Sequence, residues 1–174
     1  MTTDSDIREE KRQARKKAMR LLERMDRTEK GLREKLTQSG FSAEAAEDAV
    51  ACMKEYGYIN DQRYAENYIF SRIHEKSRQR IFQELYQKGV ARETAEKSWE
   101  TVFSLEQPDE RELLRSTVEK KYMPGTELDE KQMRRLYGYL VRRGFRWEDI
   151  SSVMEELEIR VSAENNDNKK YRKT

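Results

Sequence analysis

The residues able to do acid–base, nucleophilic or metal chemistry are few, and their spacing gathers none of them into a centre. There is one histidine, His74, and one cysteine, Cys52, too few for an ordinary zinc site. His74 falls between Ile73 and Glu75 near an expected helix end, a favourable place for a cation. Cys52 stands beside Met53 on a helix, the pattern of a core or half-buried thiol. The seven glycines are scattered, so neither a P-loop nor a dinucleotide-binding glycine pattern occurs. Asn60 and Asp61 form a polar pair after a tight turn, Tyr56-Gly57-Tyr58, but no base, metal set or phosphate loop accompanies them. Carboxylate pairs are plentiful, and in a chain that is 40% charged they belong mostly to solvated helix faces. No catalytic residue, metal site or cofactor is assigned, and an enzyme is not expected.

Basic clusters offer a different chemistry, the attraction of phosphate. The segment KQMRRLYGYLVRRGFRW carries Lys131, Arg134, Arg135, Arg142, Arg143 and Arg146 and no acidic residue. At helical spacing, Met133, Leu136, Tyr137 and Leu140 share one face, and Lys131, Arg135, Gly138 and Arg142 the opposite one. Gly138 costs a helix about 1 kcal/mol relative to alanine. In a basic face, it would let another backbone approach closely. A second run, KRQARKKAMRLLERM, places Arg12, Lys16 and Arg20 at four-residue steps in one stripe. A sparser set is Arg72, Lys76, Arg78, Arg80 and Lys88. Such clusters suit a long, negatively charged groove or a nucleoprotein filament better than a short operator. The formal net charge is only +2, so any such contact is local. A mixture of both signs suits a partner surface that is itself mixed.

The elements that must carry these residues are helices. Leu, Glu, Lys, Arg, Gln and Ala dominate, long Val/Ile runs are absent, and there are only two prolines. Three stretches align without gaps: LTQSGFSAEAAEDAV from Leu36, LYQKGVARETAEKSW from Leu85 and LVRRGFRWEDISSVM from Leu140. In each, a leucine is followed four places later by glycine and then by an apolar residue: Phe41, Val90 or Phe145. A helix is expected to end at Gly40, Gly89 and Gly144, and a second to begin about three residues later. Further helices are expected upstream, roughly over 6–26, 61–75 and 109–121. The fold class is therefore all-α: three tandem three-helix repeats forming an elongated, curved, right-to-left stacked helical body. The expected boundaries are 1–59, 60–106 and 107–160, with a disordered polar tail over 161–174. In the longer loop of the third repeat, Asp129 and Gln132 resemble a capping box. One cysteine permits no intrachain disulfide, and a reduced, cytoplasmic home is expected. No apolar leader is visible, and no stretch approaches the roughly 20 apolar residues of a membrane span.

Gly57 follows the third helix of the first repeat, and Asp61 precedes the first helix of the second. Asn60 or Asp61 is placed to cap that helix, with Ala65, Tyr68, Ile69 and Ile73 on its buried side. GYINDQRYAENYIFSRI followed by RIFQELYQKGV closely resembles the central signature of the RecX family, regulators of the RecA recombinase. The residues that carry the resemblance are Gly57, Tyr58, Ile59, Asn60, Asp61, Arg63, Tyr64 and Ala65, then Arg80, Ile81, Glu84, Leu85, Lys88, Gly89 and Val90. The outer repeats match through the leucine-glycine-apolar pattern. Many members place a glycine shortly before the Arg-Ile pair, where this chain reads Lys76-Ser77-Arg78-Gln79. Ser77 is placed to cap that helix instead.

The resemblance implies binding to the RecA–single-stranded-DNA filament, and weakly to free DNA, by a monomer. It implies inhibition of filament extension, ATP hydrolysis, strand exchange and co-protease activity, and so an influence on recombination, DNA repair and the SOS response. Charge and helical position put the contacts at Arg72, Arg78, Arg80 and Lys88 and at the six basic residues from Lys131 to Arg146. Two other classes stay open. A helical transcription regulator would bind specific duplex sites. A carboxylate–magnesium nuclease would degrade DNA, although no tight carboxylate cluster suggests one.

Overall fold

The structure is a computed structural model in which residues 4–162 are described. Nine helices form among them: α1 (Asp4–Arg24), α2 (Glu29–Gln38), α3 (Ala43–Glu55), α4 (Asp61–Phe70), α5 (Arg78–Gln87), α6 (Arg92–Glu106), α7 (Glu110–Glu119), α8 (Glu130–Arg142) and α9 (Trp147–Glu156). They fall into three consecutive sets of three. The polar tail expected over 161–174 lies, from 163 onward, outside the described residues.

The aligned leucine-glycine-apolar pattern is a helix-stop motif. Gly40, Gly89 and Gly144 take φ of 93°, 86° and 90°, which a side chain would strain. The next residue then turns its N–H back to the leucine: Phe41 N to Leu36 O, Val90 N to Leu85 O, and Phe145 N to Leu140 O. That six-to-one bond satisfies a helix-end carbonyl and folds the apolar residue back toward the leucine.

Helix starts are capped by short polar side chains. Thr28, Ser42, Asn60, Asp109 and Asp129 each accept a backbone N–H in the first turn of α2, α3, α4, α7 and α8. Ser77, fully buried, accepts from Arg80 N at the start of α5. The capping box between Asp129 and Gln132 is complete. Each cap is worth about 1 kcal/mol.

The described chain divides into two compact units. One holds the residues up to Ser71 together with Phe82–Gln107; the other holds Arg72–Ile81 together with the residues from Pro108 onward. In the first unit, Ala14 and Ala18 of α1 join Ala45, Ala46 and Ala49 of α3, Leu32 and Leu36 of α2, and Val50, Met53 and Ile59 in one core. Small side chains at that seam allow the helices to sit close. Its rim is clasped by ions. Arg15 grips Asp48 with two hydrogen bonds, at 2.7 and 2.9 Å, and Lys11 meets Glu44 at 2.6 Å. Glu10 accepts from both the N–H and the hydroxyl of Ser42. Farther along this unit α4 packs on α6. Tyr68 donates to Glu84 at 2.7 Å, and Phe82 meets Trp99 edge-on at 5.7 Å between ring centres.

These clasps have a pH signature. The Arg15 guanidinium holds the Asp48 carboxyl below its ordinary value, and Arg33 does the same to Glu47. A carboxyl depressed in the folded state contributes stability that is present above its unfolded pKa. That contribution is lost as pH falls through the folded value. Melting temperature should therefore drop on acidification below the ordinary carboxylate range. Asp48→Asn should lower it near neutrality and flatten the acid limb; equal acid slopes in mutant and parent would remove Asp48 as the cause.

In the second unit Leu114, Val118, Leu128, Leu136, Leu140, Phe145, Ile150, Val153, Met154, Leu157 and Ile159 form the core, drawn from α7, α8, α9 and the segments around them. One small addition accompanies the all-α fold in this unit. β1 (Glu127–Leu128) and β2 (Arg160–Val161) pair in parallel, Glu127 opposite Arg160. Gly125 N also donates to Leu157 O, so the loop after α7 is held by the segment after α9. The first helix of the second repeat is also shorter than expected. It stops at Phe70 instead of 75, because the backbone closes a turn there, with Glu75 N and Lys76 N both donating to Arg72 O.

The Asn60-Asp61 pair has two structural tasks. Asn60 caps α4 through Arg63 N, while Asp61 accepts the N–H of Glu29, the first residue of α2, at 2.9 Å. Burial pushes the Asp61 carboxyl up from its ordinary value, and the bond from Glu29 opposes this. Two adjacent side chains thus anchor the starts of two helices from different repeats.

Candidate functional site

Six of the expected contact residues ride on one helix and its exit. α8 starts at its capping box, and its apolar stripe sinks Leu136 and Leu140 into the core with Met133 and Tyr137 beside them. That orientation fixes the rest of the helix. Lys131, Arg134, Arg135 and Arg142 are forced outward, and all are exposed, as are Arg143 and Arg146 beyond the helix. Arg134 reaches Glu130 only loosely, at 3.6 Å, with both side chains in solvent. Lys131, Arg135, Arg142 and Arg146 make no ion pair among the described residues. Arg142, in the last turn, also lies where the helix dipole favours a cation.

Gly138 sits in the middle of this face, but no other backbone of the described chain approaches it. A Cβ there would meet only the guanidinium of Arg142, at 3.2 Å. The expected close approach is absent within the described chain; the glycine gives Arg142 room to lie along its own helix.

The sparser basic set divides. Arg78 and Arg80 open α5, and their backbone belongs to the same unit as α8. Ser77 donates its hydroxyl to Arg143 O at 2.9 Å, and a Cβ on Gly144 would lie 2.9 Å from Arg80 N. Arg80 and Arg143 therefore leave adjoining pieces of backbone. The Arg78 N–H in turn donates to the Glu110 carboxylate at 3.2 Å. Arg72 is half-buried in the turn after α4. Lys88 belongs to the other unit, where its ammonium lies 5.5 Å from the centre of the Tyr68 ring.

Part of the N-terminal basic run is occupied with holding the fold: Lys11 and Arg15 pair with α3. An open groove beside α1 is lined by Arg8, Lys11, Arg12, Arg15, Lys16 and Met19. Four of those cations are paired: Arg8 with Asp4, Lys11 with Glu44, Arg12 with Glu9 and Arg15 with Asp48. Hydrogen bonds from Arg12 and Gln13 take the Glu9 carboxyl down to about 2.

The signature residues occupy structural places. Gly57 ends α3 with positive φ, and Tyr58 is exposed beside it. Arg63 reaches the carbonyls of Gly57 and Tyr58 at 3.4 Å, and Tyr64 stacks on Tyr68. Ala65, Ile81 and Leu85 are fully buried. At Gly89 a Cβ would overlap the Lys30 side chain.

Charge alone misses the aromatic rings beside these cations. Trp147 packs against Tyr137, the ring centres 4.3 Å apart and the planes tilted by 44°. Tyr139 lies under both Lys121, at 4.3 Å, and Arg143, at 4.7 Å. The signal was present in the sequence as aromatic residues interleaved with arginines.

Among the described residues, no three His, Cys, Asp or Glu side chains gather as metal ligands, and no helix is long and apolar enough to cross a membrane.

Comparison with known proteins accounts for all three repeats. Family models for the first, second and third three-helix domains of RecX match residues 14–51, 60–98 and 109–154. The regulatory protein RecX of Caldanaerobacter subterraneus subsp. tengcongensis is 38% identical over 146 residues, covering 83% of this chain and 71% of that protein. That of Clostridium perfringens strain SM101 is 32% identical over 143 residues, covering 80% of this chain and 66% of the longer relative. That of Trichlorobacter lovleyi is 38% identical over 143 residues, covering 80% of this chain and 92% of that one. A crystal structure of RecX from Lactobacillus salivarius superposes with TM-score 0.61 at 18% identity, covering 86% of this chain and 97% of that chain. Another crystal structure of a regulatory protein RecX gives 0.64 at 20% identity, covering 87% and 73%. At those identities the structures speak for the fold, while the sequence relatives and the three domain models speak for descent: the chain belongs to the RecX family of regulatory proteins.

Proposed function

We propose that the protein binds the RecA–single-stranded-DNA filament and limits its extension. It thereby lowers RecA's ATP hydrolysis, strand exchange and co-protease activity, and so tempers recombination, DNA repair and the SOS response. The observation that carries this reading is the outward face of α8, where Lys131, Arg135 and Arg142 stand exposed without ion pairs among the described residues. Solvated cations that no fold contact uses are available to a polyanion. Family membership supplies the regulatory role, and the resemblance supplies the filament.

The mechanism is steric. Each three-helix repeat offers a surface, with boundaries near 59, 106 and 160, and the protein occupies the filament groove or caps its growing end. Arg72, Arg78, Arg80 and Lys88 are assigned as further contacts to the same filament. The protein acts as a cytoplasmic monomer, without catalysis or cofactor.

The test is RecA's single-stranded-DNA-dependent ATPase, titrated with this protein from well below to well above the recombinase concentration. Inhibition at a small fraction of the RecA concentration supports interrupted extension. Inhibition only near equimolar supports groove occupancy. A folded protein with no effect on its cognate recombinase would sink the proposal.

A further inference from the structure

Tryptophan is large and mostly apolar, and a protein ordinarily hides it. Trp147 is 59% exposed, whereas the other tryptophan, Trp99, is 8% exposed. The ring is not loose: it rests on Tyr137 at 4.3 Å, and the Tyr137 hydroxyl is itself 3.4 Å from Ser151 Oγ. The result is a supported aromatic shelf that stands in solvent.

Its neighbours on α8 give the shelf a context. Arg134, Tyr137 and Val141 follow at steps of three and four, one line along the helix, and Val141 is exposed. On the other edge of the outward face Tyr139 lies beneath Lys121 and Arg143. Lys131, Arg135 and Arg142 fall between these two edges by helical spacing. A basic strip thus runs between the Tyr137–Trp147 pair on one side and Tyr139 on the other. Phosphate alone requires only the cations. A duplex keeps its base faces inside the stack and has nothing to lay on an exposed indole. Cations that track a backbone beside rings that accept bases are what an unpaired strand needs.

We propose that Trp147, backed by Tyr137, is a stacking platform for an unpaired base of single-stranded DNA, with the phosphates lying along Arg134, Arg135 and Arg142. This rests on the reading that the α8 face meets nucleic acid, and adds that it reads base faces as well as charge.

The test uses the 174-residue chain with Trp99→Phe, so that Trp147 is the sole tryptophan, excited selectively. Oligo(dT) and an abasic strand of the same length are titrated at low salt, with binding followed separately by anisotropy of the labelled strand. Oligo(dT) should quench Trp147 and the abasic strand should not. Trp147→Leu, in a chain that keeps Trp99, should weaken oligo(dT) binding about tenfold and leave abasic binding unchanged. Equal binding of both strands by Trp147→Leu and parent would overturn the platform while leaving the cationic face intact. So would equal Trp147 dependence with duplex DNA. If neither free strand binds, inhibition of the recombinase filament decides. Full inhibition by Trp147→Leu alongside loss in an Arg135→Ala, Arg142→Ala variant overturns the platform alone.

Discussion

Replacing Gly144 with alanine should destabilise the second unit by roughly 3 kcal/mol, the largest loss expected from any glycine in the chain. Two effects add. The residue sits at φ 90°, where a side chain costs about 1–2 kcal/mol. Its new Cβ would also overlap Ser77 Oγ and lie 2.9 Å from the backbone N of Arg80. A flexible side-chain tip can swing away, but a helix N–H cannot. Moving Ser77 would also disturb its bonds to Arg80 N and Arg143 O, and leave buried polar groups without partners. Gly40 is the internal control. Its φ is 93°, yet a Cβ there meets nothing within 4 Å, so Gly40→Ala should cost only the backbone term. Gly89 falls between, because the atoms in the way belong to the Lys30 side chain. Denaturant unfolding, followed by Trp147 emission in a Trp99→Phe background for the second unit and by circular dichroism for the whole, measures the series. Equal losses at positions 40 and 144 would mean that the close approach of the two backbones is not there.

The second large effect is functional. Arg135→Ala with Arg142→Ala should weaken recombinase inhibition about tenfold and lower the salt dependence of binding by about two charges. Stability should stay within about 0.5 kcal/mol, since both side chains are exposed and neither has an ion-pair partner among the described residues. Lys16→Ala with Arg20→Ala removes the same charge from α1 and is the matched control. If both pairs weaken inhibition equally, net charge is responsible and the α8 face has no special part. Undiminished inhibition by the folded α8 double mutant removes the assignment altogether.

The helix ends were legible because their signal is local. The leucine, the glycine and the apolar residue lie within six positions, and one hydrogen bond joins them. Asp129 and Gln132 were legible for the same reason. What stayed hidden depends on partners far away in sequence. Nothing near Arg15 marks it as a clasp, because Asp48 is 33 residues on. The parallel pair of Glu127 with Arg160 is two residues long, too short to print an alternating pattern. Gly138 could not be read by itself, because a missing side chain looks the same whether a neighbouring backbone or the helix's own arginine fills the space. Trp147 was overlooked because apolar content near a basic run is ordinarily assigned to the core.

The second unit takes Arg72–Ile81 from the middle of the chain, between stretches that belong to the first. No single cut can therefore release either unit whole. A fragment ending at Gln107 would retain Ser77 but lose the carbonyl of Arg143 to which it donates. A fragment beginning at Pro108 would keep α7, α8 and α9 and lack the segment that meets Gly144. The second and third repeats are thus not parts that one cut can separate along the compact units. The boundary between the second and third repeats in sequence is therefore not the boundary between the compact units in space.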